Sequence, residues 1–257
     1  MKKFFGLLLI MVGLCIHVHA QLLTTSTSIL LKSSVLNRQL ALEDSIQSLY
    51  DAIELKRHGL KYEVFRYGVM GYLSLRREGR LNDKAIITLI DFTQSSRKKR
   101  FFTIDLDARK ILFNTYVSHG KNTGGDMATH FSDTPHSNQS SLGFYVTGET
   151  YVGSKGYSLR LDGVEEGFNG NMRDRAVVMH KADYVSETWI RKYGRLGRSQ
   201  GCPALPVELS RAVIDTIKDR TAIFAYYNDE HYLRSSHYVA TNKLFAEADE
   251  ATESINY

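Results

Sequence analysis

The spacing of apolar residues changes near residue 80, and this change constrains the fold more than any other feature of the sequence. Over residues 35–56 and 62–76, apolar side chains recur mostly every three or four positions, which predicts two helices. Beyond residue 80, short runs rich in β-branched and aromatic residues predict strands. We therefore expect a β-rich α+β fold, with a mixed sheet preceded by an N-terminal helical extension.

The predicted strands are short and are separated by turns. They cover residues 84–92, 100–106, 110–117, 142–147, 157–161, 176–179 and 221–227, and a further helix is predicted over 207–218. Residues 118–141 are broken by glycines and by Pro135, which predicts a long loop. Because a loop of this length inside a compact domain usually serves function, we expect this one to be functional.

The first 20 residues have the pattern of a secretory signal peptide. Lys2 and Lys3 precede an apolar run that is too short to span a bilayer, and Ala20 is a small residue at the expected cleavage point. An uncleaved anchor is the alternative. Lipidation at Cys15 fits poorly, because Leu14 replaces the small residue that a lipobox requires. We therefore expect secretion across the inner membrane to the periplasm or cell envelope, with no membrane span after cleavage.

Four segments follow from these patterns. We predict a signal peptide over residues 1–20, a lead-in with helices over 21–80, a catalytic domain over 81–230, and a polar, acidic C-terminal tail over 231–257. The formal net charge of +5 is mild and does not imply a nucleic-acid partner. The basic run at residues 97–100 is interpreted as a solvated hairpin turn, because no aromatic platform for bases surrounds it.

Cys202 is the only cysteine that remains if Cys15 leaves with the signal peptide. Cysteines of secreted proteins usually pair, so a single one indicates a reactive thiol, an intermolecular disulfide or a small buried side chain. The polar, glycine-containing surroundings of Cys202 favour the reactive thiol.

His180 follows the apolar run at residues 176–179 and precedes Cys202 in the chain. A thiol nucleophile requires a base that accepts its proton, a partner that orients the base, and N–H groups that face the oxyanion. We predict that Cys202 is the nucleophile and His180 the base, with Gly201 allowing the backbone to approach the substrate. The order of the two residues is the reverse of that in papain-like proteases. It is the order found in sortases and in L,D-transpeptidases.

Several separated motifs resemble the L,D-transpeptidase catalytic domain (YkuD-like) family, whose signature is a His, a spacer and then [ST]-x-G-C. Those positions are His180, Ser199, Gly201 and Cys202 here. Residues 197–204 read G-R-S-Q-G-C-P-A, which resembles one subgroup of the family, as do residues 90–92, 118–120 and 140–145. The resemblance extends over about residues 60–227.

The resemblance implies a peptidoglycan stem peptide as substrate, and no cofactor. Cys202 would attack the carbonyl between the L-centre of a diamino acid and the terminal D-Ala, and the thioester would then pass to an amine or to water. A backbone carbonyl at Ser199 would orient His180. The N–H groups of Gly201 and Cys202 would form the oxyanion hole.

Two positions depart from the family pattern. Ala204 stands where many members have an Arg, and Lys181 replaces the Gly that often follows the His. The positioning role of the missing Arg would fall to Arg198 or Arg195. Lys181 would add bulk and charge to the cleft and restrict the acyl acceptor, or mark a weakened enzyme.

His119 and Gly120 are expected to line the substrate cleft. A metal site is an alternative role for the histidines, but their spacings match no compact ligand motif. This comparison covers His119, His130, His136 and His180. We therefore predict no metal.

Two other functions remain open at this point. A sortase-like protein transpeptidase would need an Arg after the Cys, for which Arg211 is available on a predicted helix. A catalytically silent peptidoglycan-binding domain would explain the departures at Lys181 and Ala204. The reactivity of the thiol separates these functions, since a binding domain has no need of an activated cysteine.

Overall fold

A computed structural model describes residues 34–239 of the 257-residue chain. The chain divides into two compact units, Met1–Ser45 and Ile46–Tyr257. In the first unit the described residues, 34–45, are helical; in the second, residues 46–52 form helix α1 and turns follow through residue 59. The helix predicted over residues 35–56 is thus confirmed over most of its length. The predicted signal peptide, residues 21–33 of the lead-in and residues 240–257 of the tail lie outside the described residues.

The second unit is built on one eight-stranded mixed sheet. Its strands lie in the order β3-β2-β1-β8-β4-β5-β6-β7, in which only the β1–β8 and β6–β7 pairs are parallel. The strands are β1 Ile86–Asp91, β2 Phe101–Asp105, β3 Lys110–Thr115, β4 Gly143–Gly153, β5 Gly156–Gly163, β6 Val178–Lys181, β7 Ala204–Leu205 and β8 Ala222–Tyr226. The predicted β-rich α+β fold, with a mixed sheet and N-terminal helices, is confirmed.

Four further helices accompany the sheet in the described chain. They are α2 Tyr62–Arg77, α3 Glu187–Tyr193, α4 Val207–Ile217 and α5 Glu230–Ser235. Helix α2 contacts β1 and β8, and helix α4 contacts β5 and β6. None of the helices within residues 34–239 combines the length and the apolar character needed to cross a bilayer.

The central strands are buried on both faces because their alternate residues meet different partners. On one face Leu89 of β1 contacts α2 at Gly68, where a Cβ would collide with the leucine side chain. On the other face Ile90 joins a core cluster that includes Ile214 and Ile217 of α4. This packing explains why every residue of β1 is buried, including the polar Thr88 and Asp91.

Four elements are missing or incomplete in the sequence prediction, and one of them is the two-residue strand β7. Strand β4 continues to Gly153, well beyond the predicted end at residue 147, and forms a long hairpin with β5. Helix α3 was missed, because none of its seven residues is buried and so it has no apolar repeat. Helix α5 falls in the predicted tail, but Tyr232 is fully buried there and donates a hydrogen bond from its hydroxyl to Glu165 (2.9 Å).

Candidate active site

The sheet places Cys202 beside the strand that carries His180. Strands β6 and β7 are parallel neighbours and pair His180 with Ala204, two residues after the cysteine. Cys202 is a free, partly buried thiol, and its sulfur accepts a hydrogen bond from the N–H of Val178 (3.4 Å). Within residues 34–239 no hydrogen bond joins Cys202 to His180. The thiol is therefore bonded to the backbone of the strand that carries its predicted base, two residues before that base.

His180 is buried and anchored through one ring nitrogen. Its Nδ1 lies 2.8 Å from the carbonyl oxygen of Lys181. Since a carbonyl can only accept, Nδ1 carries the hydrogen and Nε2 is left with its lone pair free. Burial lowers the pKa of His180, and the nearby charge of Lys155 lowers it further, against the opposing effect of the Lys181 carbonyl. The imidazole is thus a neutral base with a defined tautomer.

Burial has the opposite consequence for Cys202. It raises the pKa of the Cys202 thiol, while the Val178 N–H and the charges of Arg175 and Lys155 oppose this rise. A raised thiol pKa and a lowered imidazole pKa together favour the neutral pair over a preformed thiolate–imidazolium pair. The arrangement suits proton transfer during attack, with His180 acting as general base.

The turn before Cys202 differs in detail from the prediction. The Ser199 carbonyl accepts from the N–H of Lys121 (2.8 Å), so it does not orient His180; the Lys181 carbonyl occupies that role. The Gly201 N–H donates to the Ser199 hydroxyl (3.1 Å), which in turn donates to the Cys202 carbonyl (2.6 Å). Of the two N–H groups predicted for the oxyanion hole, that of Cys202 is the one without an acceptor in another described residue.

His119 is placed inside the protein, away from a substrate surface. It is 1% exposed, its Nδ1 accepts from Arg100 (2.7 Å), and its Nε2 donates to the Gly125 carbonyl (3.1 Å). Burial and the adjacent Arg100 charge lower the pKa of His119 to about 3. Its role in this structure is to tie the long loop to the buried Arg100. The expectation that it lines the cleft is not met by this geometry.

The other predicted cleft residues take different positions. Gly120 is buried and bridges to Ser199, so it joins the long loop to the turn before the nucleophile. Arg198 is exposed and donates to the carbonyls of Lys121 and Gly124. Lys181 is exposed beside His180, with its Cε 3.3 Å from the point where a Cβ on Gly156 would lie.

In the described part of the chain, the histidines of the long loop form no metal-ligand cluster with His180. His130 is exposed, and its Nδ1 lies 2.9 Å from the hydroxyl of Thr129. His136 is also exposed and has a positive φ of 62°. No group of three or more metal-ligating side chains is found within residues 34–239.

The comparison with known families covers the part of the chain that contains this site. Residues 56–226 match the L,D-transpeptidase catalytic domain, close to the extent of the resemblance in the sequence. The chain belongs to the L,D-transpeptidase catalytic domain family. The match includes both Cys202 and His180, together with all eight strands of the sheet.

Solved structures of L,D-transpeptidases are similar at low identity. The Mycobacterium smegmatis L,D-transpeptidase is 12% identical over 56% of this chain and 59% of its own, with a TM-score of 0.36. Mycobacterium tuberculosis L,D-transpeptidase 1 is 13% identical over 56% of this chain and 62% of its own, with a TM-score of 0.32. The L,D-transpeptidase of Stackebrandtia nassauensis is 15% identical over 66% of this chain and 67% of its own, with a TM-score of 0.34. The chain thus spans about three fifths of the two mycobacterial chains. No curated protein sequence matches significantly.

Two residues of this L,D-transpeptidase domain near the thiol were missed in the sequence. Arg175 has a 3% exposed side chain, and its charge lowers the pKa of Cys202. Tyr184 is half-buried, and burial together with the nearby Cys202 raises its pKa to about 12. No local sequence signal marks Arg175, because its partners lie 34–43 residues earlier in the chain. For Tyr184 the available signal was a hydroxyl group in the spacer between His180 and Cys202, four residues after His180.

Proposed function

We propose that the chain is a cell-envelope cysteine acyl transferase that acts on peptidoglycan stem peptides, as an L,D-transpeptidase or L,D-carboxypeptidase, through a thioester on Cys202. The observation that carries this proposal is the pairing of His180 with Ala204 on adjacent parallel strands. This pairing brings the strand of the anchored imidazole next to the segment that follows the free thiol, which supports a role for both residues in one site. Membership of the family supports the choice of substrate class.

Acylation begins with a change in the hydrogen bond of the thiol. Rotation of the Cys202 side chain exchanges its contact with Val178 for one with Nε2 of His180, as catalytic hydrogen bonds often tighten only with substrate bound. The proton passes from sulfur to Nε2 while the sulfur attacks the carbonyl carbon between the diamino acid and D-Ala. The imidazolium then protonates the leaving amine of D-Ala, the C–N bond breaks, and the thioester remains on Cys202.

The oxyanion formed during attack needs donors that are free to face it. The Gly201 N–H is bonded to Ser199, so the Cys202 N–H is the backbone donor we assign to this role. Tyr184 supplies a second donor, because a phenol with a pKa of about 12 stays protonated at neutral pH. Deacylation reverses the proton transfers. His180 takes a proton from an acceptor amine or from water, and returns it to the departing sulfur.

We place this reaction outside the cytoplasmic membrane. The proposed substrate is a polymer of the cell envelope, and the predicted signal peptide over residues 1–20 would direct secretion. The periplasm or cell envelope is therefore the proposed location.

The deciding experiment incubates the purified protein and its Cys202→Ala variant with a disaccharide-tetrapeptide, followed by mass spectrometry. Loss of D-Ala alone would identify a carboxypeptidase, and a dimer joined between two diamino acids would identify a transpeptidase. Either product should require Cys202 and pass through an acyl adduct on that residue. Absence of both products and of the adduct would contradict the proposal.

A silent peptidoglycan-binding domain is the second candidate. One observation favours it: the sulfur is hydrogen-bonded to Val178, and burial raises the pKa of the thiol. The two functions differ in the effect of His180→Ala on alkylation of Cys202. A catalytic pair predicts slower alkylation in the variant, whereas a binding domain predicts no change.

A further inference from the structure

Arg175 carries a permanent charge on a side chain that is only 3% exposed, so its partners define what it does. All of these partners lie within residues 132–141, the second half of the long loop. Nη1 donates to the Ser132 carbonyl (2.9 Å) and the Ser141 hydroxyl (2.7 Å), Nη2 donates to the Ser137 hydroxyl (3.1 Å) and the Gln139 carbonyl (2.7 Å), and Asp133 lies 3.5 Å away.

The same half of the loop covers the turn that precedes the nucleophile. Gly201 has a φ of +120°, and a Cβ on it would lie 2.8 Å from the Gln139 carbonyl oxygen. That point is also 3.6 Å from Nη2 of Arg175. The Ser140 hydroxyl donates to the Gly201 carbonyl (3.1 Å). Arg175 is therefore connected to the backbone of the cysteine turn through Gln139 and Ser140.

We propose that Arg175 is a positioning residue, which holds residues 132–141 against Gly201 and keeps a positive charge near the Cys202 sulfur. The importance of this role for catalysis rests on the proposed function, but the role itself does not. One side chain would thus fix the loop, the turn and the electrostatic environment of the thiol. Its partners lie 34–43 residues earlier in the chain, so this role has no local sequence signature.

The charge of Arg175 acts on a thiol whose surroundings can be named. Arg175 and Lys155 lower the pKa of Cys202, against the burial that raises it. The sulfur is also bonded to β6, the strand that carries His180, and lies close enough to the protonated phenol of Tyr184 to affect its pKa. Asp133 lies beside Arg175 and offsets part of its charge. Removing the arginine and removing the aspartate should therefore shift the thiol in opposite directions.

The test for the charge is the pH dependence of Cys202 alkylation by iodoacetamide. Arg175→Gln should move the midpoint of the profile upward and slow alkylation at pH 7 by about threefold to tenfold. Asp133→Asn should move the midpoint downward. Arg173→Gln is the matched control, because that exposed arginine pairs with Glu149 and Asp162, and its profile should equal that of the wild type. A merely structural role would not produce shifts of opposite sign.

The test for positioning is hydrogen exchange of residues 132–141. Arg175→Lys keeps the charge but loses the planar guanidinium and its several donors. We therefore expect an alkylation midpoint near that of the wild type and faster hydrogen exchange in residues 132–141. If Arg175→Gln does not fold, Arg175→Lys and Asp133→Asn decide the matter. Unchanged exchange in Arg175→Lys, or unshifted midpoints in Arg175→Gln and Asp133→Asn, would overturn the proposal. Neither readout uses peptidoglycan, so failure of the proposed function would be seen separately.

Discussion

The Nδ1 atom of His180 lies 2.8 Å from the carbonyl oxygen of the next residue, Lys181. A base anchored in this way depends on no other side chain for its tautomer, and its orientation follows from the strand itself. Because Lys181 supplies this contact through its backbone, the family's usual glycine at that position can be replaced without losing it.

This relationship predicts the pH dependence of the reaction. Burial lowers the pKa of His180, so the base should stay neutral at pH values where a free histidine, with a pKa of about 6.5, is protonated. We expect the acidic limb of the kcat/KM profile to lie below about pH 6.5. The profile is measured with a tetrapeptide substrate between pH 4 and 9. An acidic limb at or above pH 6.5 would contradict a neutral, buried base.

A second prediction concerns the glycine before the nucleophile. In Gly201→Ala the methyl group would meet the Gln139 carbonyl, and a φ of +120° is strained for any L side chain. We expect a loss of about 1–3 kcal/mol in the free energy of unfolding. Displacement of Cys202 should lower kcat/KM by about 100-fold.

Gly194→Ala provides the control for that substitution. Gly194 has a φ of +69° at the end of α3, and a Cβ there would meet nothing within 4 Å. Its replacement should cost about 1–2 kcal/mol of stability and leave kcat/KM unchanged. Equal losses of activity in the two variants would show that strain alone, rather than the contact with Gln139, matters at position 201.

The acid stability of the protein should depend on His119. Its pKa is about 3 in the folded protein and about 6.5 in the unfolded chain. Between these values the unfolded chain binds the extra proton, so stability is complete above pH 6.5 and is lost as the pH falls toward 3. The slope from this residue is at most about 1.4 kcal/mol per pH unit.

Urea unfolding at several pH values between 7 and 4 measures this dependence. In His119→Gln the amide can still accept from Arg100 and donate to Gly125, but it does not titrate, so the loss of stability on acidification should be smaller. His130→Gln, which changes an exposed histidine of the same loop, should keep the wild-type slope. If His119→Gln and the wild type lose stability in parallel, the linkage to His119 is wrong.

The sequence was informative wherever the chemistry is local. The apolar runs predicted both ends of β1, β2, β3 and β8 to within about two residues. The strand predicted before His180 is present as β6, which contains His180 and pairs with β7, two residues after Cys202. The strand predicted over residues 142–147 ends too early, because Gly148 and the polar residues after it break the apolar pattern. In the structure β4 continues past Gly148 and pairs with β5 there.

What the sequence could not provide depends on contacts between distant segments. The guanidinium of Arg175 is enclosed by residues of the preceding loop, and Tyr232 fills a site beside Glu165, 67 residues earlier in the chain. Neither position has a periodic or motif signal. Family resemblance predicts the Ser199 carbonyl as the group that orients His180, but that carbonyl accepts from Lys121, a contact that depends on how the long loop packs.

The last prediction concerns two lysines at the mouth of the site. Lys155, in the turn of the β4–β5 hairpin, is close enough for its charge to lower the pKa of both His180 and Cys202. Lys181 lies against Gly156 of the same hairpin. Neither ammonium has a carboxylate or hydrogen-bond partner within residues 34–239. An anionic substrate group would therefore meet two uncompensated positive charges, and the terminal carboxylate of a stem peptide is such a group.

We expect Lys155→Met and Lys181→Met each to raise KM for a tetrapeptide with a free terminal carboxylate by about threefold to tenfold, the effect of losing one charge-assisted contact. For the same peptide with a terminal amide, KM should change little in either variant. Lys110→Met is the control, since that exposed lysine lies on β3 at the opposite edge of the sheet from β6 and β7. If KM rises equally for both peptides in the lysine variants, the two lysines shape the cleft but do not bind the terminal carboxylate.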